Sequence, residues 1–307
     1  MRQPIVDTTS REHNAAHREK TEFVPQGGDI ALDLSYRLES FRRTHPYKQI
    51  QVEGRKWRYI VGGQGERTLL LLPGGTLVPD TYFVLLEDLE QVYRVIVPAY
   101  AAVPTMAELV TGAAAILDRE GVERAAVMGS SFGGYVAQCF VRANPDRVDR
   151  LILAVTGVRH FVSRAAPLYL LAQFMRVLPA SAVRFLMWRL WSTLVTTSSE
   201  DQTFWLGLLR EILTQQLSKA NLVSVTEEIY DFSAHYHFSR GDLAAWPGKI
   251  LILESDQDKA YSPAIRAETR AVYPQARVHT FHDAGHTAIM TSTDEFITTI
   301  REFLDEG

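Results

Sequence analysis

Ser131, Asp258 and His286 are the three residues of this chain whose types and order could together cleave an acyl bond. A serine hydroxyl is a poor nucleophile until a base takes its proton. The usual base is a histidine held in one tautomer by a carboxylate. Ser131 stands at the centre of Gly129-Ser130-Ser131-Phe132-Gly133, a Gly-x-Ser-x-Gly pattern. A strand that turns at once into a helix exposes the turn residue in a strained conformation, and small residues two places either side let the backbones approach. The helix behind it would aim free N–H groups at developing negative charge. Ser130 lacks a glycine in register on both sides, so it is read as structural.

The carboxylate candidates lie in Glu254-Ser255-Asp256-Gln257-Asp258, after an apolar strand. Asp258 is preferred because Tyr261-Ser262-Pro263 opens the next helix just beyond it, with Asp256 the alternative and a turn or capping role open to either. Three histidines follow. His279 falls inside a strand, His282 is the weaker choice, and His286 follows Asp283-Ala284-Gly285 in a loop before a helix, where a base belongs. An oxyanion hole needs two backbone N–H donors, one from the residue after the nucleophile and one from the loop after an earlier strand. Phe132 is the first; Gly75 in Pro73-Gly74-Gly75-Thr76 is the second, with Thr76 as its alternative.

These residues need a frame. The run Ala125–Met128 predicts a buried strand, and Phe132–Phe140 a helix that stops at Asn144-Pro145. Thr68–Leu72, Tyr93–Val97 and Val148–Val155 read as strands, with helices at Phe83–Leu89 and Met106–Leu117 between them. That alternation predicts an α/β fold with a mostly parallel sheet covered on both faces. Ile50–Val61 reads as two antiparallel strands or one bent strand. Phe161–Tyr236 shows only helical periodicity, broken into about four helices. The sheet pattern resumes with strand Lys249–Leu253, helix Pro263–Val272, strand Arg277–Phe281 and helix Asp294–Leu304. Residues 1–45 read as a polar, mobile tail over 1–28 followed by an amphipathic helix, Ile30–Arg43. Residues 46–157 and 247–307 then form the core, and 158–246 a helical insertion.

The chain has 307 residues, 46% hydrophobic and 22% charged, as an ordinary globular protein does. Its formal charge of −4 gives no reason to expect nucleic acid or an anionic membrane as a partner. Cys139 is the single cysteine, which excludes a disulfide framework and a cysteine metal site and reads as a small buried residue. No apolar leader opens the chain and no stretch is apolar enough to span a bilayer, so a cytoplasmic location is expected. No metal cluster, nucleotide loop or dinucleotide fingerprint competes, and no cofactor is expected.

Taken together, Gly129–Gly133, Asp258 and Gly285-His286 resemble the elbow, acid and base of the α/β-hydrolase superfamily, over roughly Ile50 to the C-terminus. The insertion is similar to that family's helical cap. Pro73-Gly74-Gly75 stands where the family usually has a His-Gly loop, and Pro98–Pro104 replaces its frequent Asp-x-x-Gly-x-Gly-x-Ser loop. Those departures and the aromatic cap make the chain look similar to maspardin-like members, a branch of interaction proteins with incomplete triads. Here all three residue types are present. The resemblance implies a serine hydrolase acting on a carboxylic ester or related acyl compound, apolar or aromatic, through an acyl-enzyme. Amides, carbamates, lactones and carbon–carbon bonds beside a carbonyl are open to the same machinery. Dehalogenase and epoxide hydrolase chemistry is disfavoured, because similar enzymes carry Asp at the position of Ser131. The rival expectation is a non-catalytic adaptor, marked by a mis-set Ser131–His286 pair and an exposed apolar patch.

Overall fold

The computed structural model describes residues 27–159 and 165–306. Helix α1 (Gly27–Thr44) starts three residues before the expected Ile30, so Gly27 and Gly28 open a helix and do not close a tail; residues 1–26 of that expected tail lie outside the described residues. Leu34, Leu38 and Phe41 recur at helical spacing and are buried, and α1 packs on the core through this stripe.

The segment Ile50–Val61 is two strands, β1 (Lys48–Val52) and β2 (Arg55–Gly62), paired antiparallel. Glu53 and Gly54 both have positive φ, 49° and 76°, which is the two-residue hairpin turn that suits strand twist. Then follow β3 (Thr68–Leu72), a short 3₁₀ turn Pro79–Tyr82, α2 (Phe83–Leu89), β4 (Arg94–Ala99) and α3 (Met106–Arg119). After these come β5 (Ala125–Ser130), α4 (Phe132–Ala143) and β6 (Val148–Ala154). Between β6 and the next strand lie α5 (Ala165–Val177), α6 (Ala180–Trp191), α7 (Gln202–Glu211), a π-turn Ile212–Gln216 and α8 (Lys219–His235). The sheet resumes with β7 (Lys249–Ser255), α9 (Pro263–Val272) and β8 (Arg277–Phe281). It closes with α10 (Ala288–Thr291) and α11 (Thr293–Asp305). The four-residue α10 was not foreseen, being too short to show periodicity.

The eight strands lie in the order β1-β2-β4-β3-β5-β6-β7-β8. β2 pairs antiparallel with β4, and all pairs from β4 through β8 are parallel. The connection β3–α2–β4 therefore runs one way along the sheet, and β4–α3–β5 runs back past β3. Right-handed crossovers then put α2 on one face and α3 and α4 on the other. The reversal leaves a crevice beyond the carboxyl ends of β3 and β5, the place where α/β sheets carry their sites. Leu70–Leu72 and Val127-Met128 are fully buried there because helices cover both faces.

Helix α8 is tied to the sheet domain by polar contacts at its surface. Asp231 accepts the Met106 N–H that opens α3 (2.9 Å), and Asn221 donates to the Tyr100 carbonyl (3.3 Å). Ser218 and Asn221 form a capping box at its start. Between these anchors Glu228 is 1% exposed, and neither of its carboxylate oxygens has a hydrogen-bond partner among the described residues. Burial, helped by Glu227, Glu108 and Asp231 nearby, raises its pKa well above the usual 4.5, so the folded state keeps it neutral. Its contribution to stability is therefore complete at acid pH. It declines above pH 4.5, where the unfolded chain ionises and the folded one does not. Glu228→Gln should remove that slope, so its unfolding free energy relative to wild type, read by urea unfolding, should rise between about pH 5 and about pH 8 by up to about 1.4 kcal/mol per pH unit. An identical difference at both pH values would mean Glu228 titrates as it does unfolded.

Candidate active site

Ser131 sits between β5 and α4 with φ 52° and ψ −119°, a region that costs a non-glycine residue about 1–3 kcal/mol. Three hydrogen bonds hold it there. Its N–H donates to the Ala154 carbonyl (2.9 Å), and its own carbonyl accepts from Gly134 N–H (2.9 Å) and Thr156 Oγ1 (2.8 Å). The neighbouring glycines let α4 press onto the sheet. A Cβ on Gly129 would lie 2.1 Å from the Gly133 carbonyl oxygen, and one on Gly133 would lie 2.0 Å from that of Leu72.

His286 Nε2 lies 2.9 Å from Ser131 Oγ, and its Nδ1 lies 3.0 Å from Asp258 Oδ2. Asp258 is itself fixed, because its Oδ1 accepts from the N–H groups of Ala260 (2.7 Å) and Tyr261 (3.2 Å). Asp258 and His286 are buried. The alternatives go elsewhere. Asp256 meets His282 Nδ1 at 3.2 Å near the surface, where the His282 side chain is 82% exposed. His279, in β8, contacts Glu295 at 2.8 Å. The two Asp–His pairs thus sort themselves by depth, and only one reaches Ser131.

Gly75 and Phe132 line the same cavity as Ser131. The Gly74 N–H is taken by Tyr82 Oη (2.9 Å), whereas Gly75 and Phe132 donate no loop or turn hydrogen bond among the described residues. Thr76 also borders the cavity, and its Oγ1 lies 3.2 Å from Thr81 Oγ1. Ser130 is buried beside Ser131 and also reaches the cavity wall. Cys139 is buried on α4, and burial pushes its thiol pKa up, so it stays protonated. Among the described residues no group of three or more His, Cys, Asp and Glu is set to hold a metal ion.

Sequence reasoning missed the aromatic and threonine contacts that hold these groups. The Tyr261 ring stacks on His286, with centroids 5.8 Å apart. Its hydroxyl is 2.7 Å from that of Tyr135, and burial pushes its pKa up to about 12. Thr287 Oγ1 donates to the Thr196 carbonyl (2.5 Å) and accepts from Thr196 N–H (2.8 Å), tying the histidine loop to the segment between α6 and α7. A Cβ on Gly285 would lie 2.3 Å from Thr196 Oγ1, so that glycine permits the tie. Tyrosine and threonine at these positions carry no local signal; only partners distant in sequence give them a role.

The cavity above Ser131 has a volume of about 720 Å³, within the range of small-molecule sites. Leu, Ile, Val, Met and Trp side chains, most of them from α5–α8 and α10, form the apolar part of its lining. No Asp, Glu or Arg lines it among the described residues, and Lys259 is its one permanent charge. Trp191 closes over the Pro73–Thr76 loop, 3.5 Å from where a Gly75 Cβ would stand.

Residues 67–293 match the family model described as alpha/beta hydrolase fold. The chain is 24% identical over 286 residues to the cis-3-alkyl-4-alkyloxetan-2-one decarboxylase of Shewanella oneidensis, covering 85% of this chain and 89% of that protein. It is 26% identical over 217 residues to the 2-hydroxy-6-oxononadienedioate/2-hydroxy-6-oxononatrienedioate hydrolase 1 of Dechloromonas aromatica, covering 62% of this chain and 65% of that one. In fold it is similar to the enol-lactonase from Burkholderia xenovorans LB400, with a TM-score of 0.71, 20% identity, and coverage of 85% of this chain and 100% of that one.

The contact between α4 and β3 makes one sharp prediction. Gly133→Ala should destabilise the protein by about 1–3 kcal/mol or more, because the clash is with backbone and not with a side chain that can turn away. Urea unfolding measures it, and wild-type stability in that variant would contradict the packing described.

Proposed function

The chain belongs to the alpha/beta hydrolase fold family, and from that premise we propose that it is a serine hydrolase that cleaves a carboxylic ester or related acyl compound through an acyl-enzyme. The observation that carries this reading is the continuous chain Ser131 Oγ–His286–Asp258, at 2.9 and 3.0 Å, on the floor of an apolar cavity. Residues 46–157 and 247–307 are then the catalytic core, and 158–246 the cap that shapes the pocket.

The steps follow from the geometry. Ser131 Oγ attacks the substrate carbonyl carbon as its proton passes to His286 Nε2. Asp258 accepts from Nδ1–H and so stabilises the imidazolium that forms. The N–H groups of Phe132 and Gly75 receive the oxyanion, each donor lowering the barrier by about 3–4 kcal/mol. The imidazolium returns its proton to the leaving group. Water then enters, gives a proton to His286 and attacks the acyl carbon; the bond to Ser131 Oγ breaks as His286 returns that proton to Oγ, which frees the acid and restores the serine.

The lining supports an uncharged, apolar acyl group. Lys259, the one permanent charge in the described lining, is exposed, so an anionic end on the substrate would find little compensation among the Leu, Ile and Val side chains. Proteins similar to this chain are named for an oxetan-2-one, a 2-hydroxy-6-oxononadienedioate and an enol-lactone, compounds that share a carbonyl carbon, which supports attack at a carbonyl. The rival reading, a maspardin-like adaptor, carries one of its two marks. Apolar side chains are exposed on α5 and α6, but the serine and histidine are within hydrogen-bond reach.

Labelling with a fluorophosphonate followed by peptide mapping needs no knowledge of the substrate. Wild type should label at Ser131; Ser131→Ala and His286→Ala should fold normally and lose turnover by at least about 10³-fold. Unimpaired ester hydrolysis in Ser131→Ala would end the proposal. The pocket adds a second expectation. Ile229 lines the cavity and is not fully buried. Ile229→Trp should lower kcat/KM for a p-nitrophenyl octanoate by about tenfold relative to the acetate, since each displaced methylene contributes about 1–3 kcal/mol. Equal loss on both esters would place the acyl chain elsewhere.

A further inference from the structure

Helix α5 is apolar on two faces. Leu168, Ala172 and Met175 face inward and are buried. Leu170, Phe174 and Val177 repeat the same spacing on the other side and are 65%, 56% and 80% exposed. On α6, Phe185 is likewise 66% exposed. A patch of this kind marks a surface that is covered in use.

Two observations choose what covers it. The first is charge. Between Asp149 and Glu200 the chain has no acidic residue, while α5 and α6 carry Arg176, Arg184 and Arg189. Arg189 is exposed and makes no ion pair among the described residues. Arg176 pairs with Glu227 (2.5 Å), and Lys219 Nζ donates to the Arg176 carbonyl (2.5 Å), so a further cation stands at the end of α5. The α5–α6 stretch of a chain of net charge −4 is therefore basic in sequence, which the whole-chain charge conceals. The second is the cavity. Leu171 and Leu190 line it and are also 36% and 44% exposed, so the apolar exterior runs into the cavity wall at its opening. A rigid protein partner or a second copy on this face would stopper that opening. A fluid apolar phase would not.

We propose that the α5–α6 face docks on an anionic lipid bilayer. Leu170, Phe174, Val177 and Phe185 enter the boundary between headgroups and acyl chains, and Arg189 with its neighbouring cations meets lipid phosphates. This is peripheral binding, and no described helix is long and apolar enough to cross a membrane. Docked this way, the cavity opens toward the bilayer and takes apolar acyl substrates from it; this last part rests on the hydrolase reading above.

Flotation of the full chain with vesicles tests the docking. Vesicles of equal parts phosphatidylcholine and phosphatidylglycerol should bind on the order of tenfold more tightly than phosphatidylcholine alone. Added salt should weaken that binding. The double variant Phe174→Gln/Phe185→Gln, whose side chains lie outside the cavity lining, should lose about tenfold in vesicle affinity. Its turnover of water-soluble p-nitrophenyl acetate should not change. Wild type that stays unbound on both vesicle types, or binding that the double variant leaves intact, overturns the proposal. So does a stable dimer in sedimentation velocity that the same substitutions dissociate, which would assign the face to a second copy. Absence of acetate hydrolysis in a folded, vesicle-binding protein would instead remove the hydrolase reading and leave the docking in place.

Discussion

The contact on which the rest depends is backbone against backbone, where the first turn of α4 meets β3 and β5. Gly129 and Gly133 allow main-chain atoms to approach where any side chain would overlap them. That approach forces Ser131 into a left-handed conformation, held by a hydrogen bond from its N–H to the Ala154 carbonyl and by those its own carbonyl accepts from Thr156 and Gly134. The strain is local, and the surrounding sheet carries it. Its result is a hydroxyl raised above the sheet at the start of a helix, where α4 offers unpaired N–H groups.

Around this fixed point the candidate site groups come from three separated segments. β7 ends at Asp258 by way of a turn that the aspartate itself ties, through Ala260 and Tyr261 N–H. β8 leads to His286, pinned on one side by Asp258 and on the other by the stacked Tyr261 ring. The helical segment then closes over them. Thr196 with Thr287 joins it to the histidine loop, and Asp231 with Met106 joins it to α3. Glu228, neutral and unpartnered in the seam, is a cost of closing that seam that hydrophobic packing offsets.

The same helices face two ways. Inward they supply the apolar walls of the cavity, and outward they expose a second apolar stripe edged with cations. Average composition could not distinguish these roles. Inward and outward residues on α5 have the same chemistry and the same spacing, shifted by two positions.

Much was legible in the chain itself. The run Thr68–Leu72, the glycines around Ser131 and the stop at Asn144-Pro145 act over a few residues, where sterics and hydrophobic periodicity are decisive. They determined the strands, the elbow and the alternation of the sheet. The run of helices between β6 and β7 was legible for the same reason, as a loss of strand pattern. The choice of Asp258 over Asp256 and His286 over His282 was only an ordering in the sequence. The tertiary structure separated them, because one pair lies deep beside Ser131 and the other near solvent. The start of α1 at Gly27, the hairpin at Glu53-Gly54, the Tyr261 stack, the Thr196–Thr287 tie and the outward face of α5 were likewise decided only there. Each depends on what a residue meets after folding, and a residue's type does not say which of its faces the rest of the chain will cover.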